Sequence, residues 1–183
     1  MLGIHWLTFF IGIKSGGVAM ATLGFASFPA FITILERFVL RDHVNLRSWF
    51  LVLVVMIGLF LVSPELDLAN QNTNGLLWGI VSGFAFAALA VSNRTYGKTL
   101  DSIQVAFWQN LVVALITLPF LSLIELRMSP SDWFWLAVLG TASTAFAHFL
   151  FVTSLQYVNA RTAGLIIALE PVYAILVAWP LFG

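Results

Sequence analysis

Of 183 residues, 61% are hydrophobic and only 9% charged, the formal net charge is zero, and cysteine is absent. A soluble domain carries roughly 25% charged residues; with a mean hydropathy of +0.99 this chain cannot cover a water-facing surface, and lipid is the solvent that suits it. The same figures exclude disulfides and thiolate chemistry, and a balanced charge gives no basic face for nucleic acid.

Seven apolar stretches follow in order, at roughly 1–13, 16–36, 48–63, 75–92, 103–124, 133–156 and 162–182. Most approach the roughly 20 residues that cross a hydrocarbon core about 30 Å thick. Their unbroken apolar character predicts helices, not the alternating strands of a barrel. The first stretch, at about 20 Å of helix, is too short to span alone. With an apolar run reaching Gly183, the expectation is a bundle incomplete at both ends. The N-terminus lacks the charged region and small-residue cleavage site of a signal peptide.

The breaks between stretches sort the basic residues. Breaks two, four and six hold Arg37, Arg41, Arg47, Arg94, Lys98 and Arg161, whereas breaks one, three and five hold only Lys14 and Arg127. Six against two places the even breaks in the cytoplasm, so the first stretch starts on that side.

An internal pattern, A-x-L-x-x-A-x-x-P, runs from Ala21 to Pro29 and again from Ala163 to Pro171, 142 residues later. The two copies open the second and seventh stretches. That odd spacing reverses orientation in the membrane, so the copies are expected to be inverted, a common transporter plan.

Further residues carry a resemblance. Ala168-Leu169-Glu170-Pro171-Val172-Tyr173-Ala174 followed by Leu181-Phe182-Gly183, Gly75-Leu76-Leu77-Trp78-Gly79 through Asn93-Arg94 with Gln109 in the next helix, and Phe28-Pro29-Ala30 through Arg41-Asp42 resemble EamA-type transporters of the drug/metabolite transporter superfamily. The resemblance implies an all-α, polytopic transmembrane bundle of inverted five-helix repeats. Residues 1–64 would be the C-terminal part of the first repeat, and 75–183 a second repeat lacking its last helix. It also implies a cytoplasmic start for the first stretch, in agreement with the charge count.

Five residues are candidates for a substrate site. Glu170 lies about 13 Å into the seventh stretch, where an unpaired charge costs about 2.5–3.5 kcal/mol or more. It either binds a cationic group or carries a proton, or else supports the break at Pro171. His5 and His148 sit in apolar stretches, as relay or substrate contacts or simply bonded to a neighbouring helix. Trp78 and Gln109, with Trp108 and Asn110, offer a stacking surface and amides, or serve as interhelical glue. Pro29 and Pro171 remove a helix donor, giving either carbonyls that face a cavity or plain kinks. Glu36 and Arg37 close the second stretch and read as interfacial. Runs of small residues at 16–26 and 83–90 read as close helix packing.

No phosphate loop, nucleophile elbow or paired-carboxylate motif is present, and the three histidines lack ligand spacing. The sequence therefore assigns no catalytic residue, no metal and no cofactor. It points to a secondary transporter of a small metabolite. The alternatives are a transport-incompetent membrane fragment and, third, a seven-helix receptor or sensor. The expected partners are the lipid bilayer, a small-molecule substrate, and either the missing helices or a second copy. The expected location is the cell membrane, multi-pass, as in the inner membrane of a bacterium.

Overall fold

The computed structural model describes residues 1–62, 70–123 and 128–169. The expectations for Glu170 and Pro171 lie outside the described residues. The described chain is a helical membrane bundle. Its elements are α1 (Leu2–Phe25), α2 (Phe28–Phe38), α3 (Leu46–Val62), α4 (Gln71–Tyr96), α5 (Ser102–Thr117), α6 (Pro130–Val138), a π-helical turn pair (Leu139–Phe146), α7 (Ala147–Tyr157) and α8 (Ala160–Ile167). Each apolar stretch with described residues is recovered as helix.

The polar breaks supply the caps. Asn70 accepts from Asn72 N at 2.9 Å to start α4. Asp101 accepts from Ile103 N at 2.7 Å to start α5, and Asn159 accepts from Thr162 N at 2.8 Å to start α8. Ser129 and Asp132 form a reciprocal capping box before α6. Each satisfies a backbone donor that the first helical turn leaves open.

Although α1 is a run of 24 helical residues, Gly17 inside it has φ 82° and ψ 168°. This conformation favours glycine. The chain reverses there. A side-chain carbon on Gly12 would lie 3.2 Å from the Ala21 Cβ, whereas nine residues of straight helix separate two positions by about 13 Å. The His5 and Phe25 rings approach to 5.1 Å for the same reason. Residues 2–16 and 18–25 are thus the two legs of a hairpin, as the separate first and second stretches implied. The outward leg rises only about 22 Å, while the return leg continued by α2 rises about 30 Å and can span.

Both legs lie on α4. The outward leg runs antiparallel to it and the return leg parallel. The seam between them is made of glycines that bring backbone onto backbone. A carbon added at Gly24 would sit 2.2 Å from Leu76 O, and one at Gly79 would sit 2.3 Å from Ala21 O. In lipid, such approach supplies the dispersion and Cα–H···O contacts that replace a hydrophobic drive.

Pro29, the second residue of α2, cannot donate to Phe25 O. That carbonyl instead meets α4, where an added carbon on Gly83 would lie 2.9 Å from it. The Ser27 hydroxyl donates to Gly24 O at 2.7 Å. The break at Pro29 therefore packs against a neighbouring backbone.

On the other side of α4 lie α7 and α8, while α3 packs on α2. The buried apolar centre comes mostly from α2, α4, α7 and α8, with Phe28, Ile32, Phe86, Leu89, Leu155 and Ala163 among its members, joined by Leu2 of α1 and Val113 of α5. Arg161 of α8 meets Glu36 of α2, and further along α8 a carbon on Gly164 would meet Ile32 and Phe28. Residue numbers rise along one helix as they fall along the other, so α2 and α8 are antiparallel. Breaks two, four and six meet at one end of the bundle: Arg94 and Arg161 both reach Glu36, and Gln156 Nε2 donates to Leu100 O at 3.1 Å. Gly16 meets Gln71 and Gly75 at the opposite end. The alternation of the breaks therefore holds in space.

Candidate functional site

Ser82 stands about 16 Å from one end of α4 and about 21 Å from the other. It is fully buried and donates its proton to the His5 carbonyl at 2.9 Å. The His5 Nδ1, 2.7 Å from the Ser82 hydroxyl oxygen, must then be the protonated nitrogen. In an imidazole that carries a single proton, Nε2 is then the acceptor. Phe25 and Phe86 flank the ring at centroid distances of 5.1 and 5.0 Å, and Phe9 at 6.2 Å. The outward leg of the hairpin places His5 here because Gly17 folds that leg onto α4.

A second polar group joins α4, α5 and α7. His148 Nε2 lies 2.8 Å from Gln109 Oε1; since that oxygen only accepts, His148 donates. Gln109 Nε2 donates onward to Asn93 Oδ1 at 2.6 Å. His148 and Asn93 are both buried, where unmade hydrogen bonds are expensive. Phe151 of α7 stacks on Phe86 at 5.0 Å and lies 6.5 Å from the His148 ring. The stacked pair bridges the two histidines, so they belong to one aromatic-lined interior.

The third group corrects the sequence reading of Glu36. Expected at the interface, it is instead completely buried. Arg94 of α4 donates to its Oε1, and Arg161 Nε of α8 lies 2.5 Å from its Oε2. The Arg161 N–H is not directed along that contact, so Oε2 is ion-paired without a hydrogen bond. Asp42 lies 3.6 Å from Arg94. It is turned back by the end of α2, where Asp42 N donates to Glu36 O at 3.1 Å across Arg41 at φ 56°, a left-handed helix ending. Removing one partner from such a buried pair costs about 3–5 kcal/mol.

The structure thus brings together His5, His148 and Gln109, and leaves Trp78 and Trp108 apart from them. Trp78 lies against the outward leg at Gly12, and Trp108 is exposed beside Phe107. Asn110 donates to Ala106 O at 2.8 Å and lines a groove of about 370 Å³ between α5 and the segment of Ala145 and Phe149. Sequence reasoning assigned no role to Ser82, Asn93 or Glu36. The signal available for each was a polar residue within or at the edge of an apolar stretch.

Comparison with known proteins accords with this architecture. The profile of the EamA-like transporter family matches residues 1–63 and 73–183. An uncharacterized transporter of Archaeoglobus fulgidus is 27% identical over 177 residues, covering 96% of this chain and 63% of its own length. An S-adenosylmethionine uptake transporter of Rickettsia conorii is 26% identical over 173 residues, covering 94% of this chain and 58% of its own. The uncharacterized transporter YoaV of Bacillus subtilis is 24% identical, with 93% of this chain and 62% of its own covered. The chain therefore spans about 60% of the length of the curated relatives it matches. No solved structure gives a significant match.

Proposed function

The chain belongs to the EamA-like transporter family, and on that premise we propose that it forms the membrane-embedded body of a secondary transporter carrying a small metabolite by alternating access. The observation that carries this reading is the buried polar interior at mid-helix. Two imidazoles, each held through one ring nitrogen, stand with a hydroxyl and two amides among phenyl rings. Polar groups at that depth are expensive unless they serve packing or transport. The first copy of the sequence pattern lies on the return leg and the start of α2, and the described part of the second, Ala163–Leu169, on α8 and the turn after it; α8 runs antiparallel to α2, which supports an inverted arrangement of repeats.

The substrate class follows from the lining. The unprotonated nitrogen of an imidazole accepts from N–H or O–H groups, and phenyl faces suit a planar ring or a soft organic cation. S-adenosylmethionine, named for the Rickettsia conorii relative, combines an amino group, a purine and a sulfonium, and heads the candidates. His5, His148 and Gln109 would contact it, with Glu170 a further candidate contact. Trp78 would flank the path.

The test is saturable binding to the purified chain in lipid nanodiscs. S-adenosylmethionine is measured beside amino acids, nucleosides and amphipathic cations. Gln109→Leu and His148→Phe are each expected to weaken binding of the preferred ligand at least about tenfold, near 1.4 kcal/mol. Saturable binding by none of the panel, or unchanged affinity in both folded variants, would reject the assignment.

A further inference from the structure

Building on the alternating-access reading, we infer that the Arg161–Glu36 pair is a latch that holds α8 on α2 at the basic-loop end and closes the polar interior to that side.

The two arginines on Glu36 are not equivalent. Arg94 comes from α4, which is joined to the hairpin through backbone-on-backbone glycine contacts, so α4 and α2 stay adjacent even when that side-chain pair breaks. Arg161 comes from α8, which starts afresh after extended backbone at Val158 and Asn159. It reaches α2 through side chains, with Gly164 against the tip of Ile32 and the ring of Phe28. Side chains can change rotamer and part, whereas backbones in van der Waals contact cannot yield without moving whole helices.

Position also marks Arg161. It sits in the first turn of α8, where the helix dipole disfavours a cation. The carboxylate of Glu36 supplies the local reason for an arginine there. Arg161 is 21% and Arg94 20% exposed, while Glu36 is 0% exposed, so water reaches both arginines but not the acid behind them. When Arg161 withdraws, Glu36 keeps Arg94 and its second oxygen gains water. Release therefore does not strand a bare buried charge, which is the condition for a contact that opens and recloses. On α4, Arg94 follows Asn93, the amide bonded to Gln109, so the latch lies directly beyond the polar interior.

The absence of native cysteine allows a direct test on the whole chain. Ala163, buried on α8, is replaced by Cys as reporter, and an impermeant maleimide is applied to right-side-out and inside-out membrane vesicles. A separate His43→Cys protein marks which preparation exposes the basic-loop end. Arg161→Gln is expected to raise reporter labelling at least tenfold from that end and less than twofold from the other. Arg94→Gln, which leaves the latch in place, is expected to change it less than twofold. The inference falls if Arg161→Gln leaves labelling unchanged, raises it equally from both sides, or is matched by Arg94→Gln. Should Arg161→Gln not purify folded, Arg161→Lys serves: a one-sided rise of about threefold supports the latch, and no rise rejects it. The assay needs no substrate. A working latch without ligand binding would remove only the transport reading, and ligand binding without a latch effect only this inference.

Discussion

The seam between the hairpin and α4 makes a quantitative prediction at Gly79. In an isolated helix Gly→Ala stabilises by about 1 kcal/mol. Here the new methyl would sit 2.3 Å from Ala21 O and 3.0 Å from both Gly24 Cα and Phe25 N. Ordinary contact needs about 3.3 Å or more between carbon and oxygen, so the two backbones must separate by roughly 1 Å. All three obstructing atoms are backbone, and no rotamer change relieves them. Overpacking of this kind costs about 1–3 kcal/mol, and losing neighbouring Cα–H···O contacts adds about 0.5–1 kcal/mol each. Net of propensity, Gly79→Ala is expected to destabilise by about 2 kcal/mol. Gly58, with open space around its Cβ position, is the control; Gly58→Ala should be neutral or stabilise by up to about 1 kcal/mol. Reversible unfolding in mixed micelles, followed by circular dichroism, measures both. If the two variants unfold together, the close-contact argument is wrong.

Two further predictions concern sidedness and Glu170. Cysteines are placed at His43 and Lys14, which are exposed at opposite ends. His43→Cys should label only when the cytoplasmic face is accessible, Lys14→Cys only from outside, and the reverse pattern would invert the topology. For Glu170, outside the described residues, the proposal is that it lines the central cavity: Glu170→Gln should fold normally but change the pH dependence of ligand binding or the preference between charged and neutral ligands. Binding that matches the parent at every pH and for every ligand would make it scaffold only.

Much of the architecture was legible because membrane helices announce themselves locally. Apolar length gave the stretches, and the polar residues between them turned out to be caps: Asn70, Asp101, Ser129 and Asn159. Lys14 and Ser15 marked a break between the first two stretches, although the reversal itself falls at Gly17, which read as part of a packing run, and the alternation of arginines gave the common end of breaks two, four and six. Glu36 was misjudged because a charge at the edge of an apolar stretch normally meets headgroups and water. Its burial depends on Arg94 and Arg161, brought to it by two other helices. Gln109 and His148 were picked out individually as polar groups in apolar surroundings. Their mutual bond, and the inclusion of Asn93 and Ser82, depend on helix rotation, which a nearly uniform apolar sequence does not encode.

The packing also bears on which parts would move. By resemblance, α4 opens the second repeat, so a motion of one sequence half against the other would divide the molecule between α3 and α4. That division would cross the glycine seam, where Gly24 meets Leu76 and Gly79 meets Ala21 through backbone atoms. On the other side of α4 the contacts are of another kind: Phe86 stacks on Phe151, Asn93 bonds Gln109, and α8 rests on α2 through Ile32, Phe28 and the Arg161–Glu36 pair. These are side-chain contacts, which rotamer changes and entering water can replace at intermediate stages. A backbone seam offers no such intermediate. The physical division therefore favours a body of α1, α2 and α4 moving against one containing α5, α7 and α8. The Asn93–Gln109–His148 group lies along that division, and Arg161 sits where it reaches the surface at the basic-loop end.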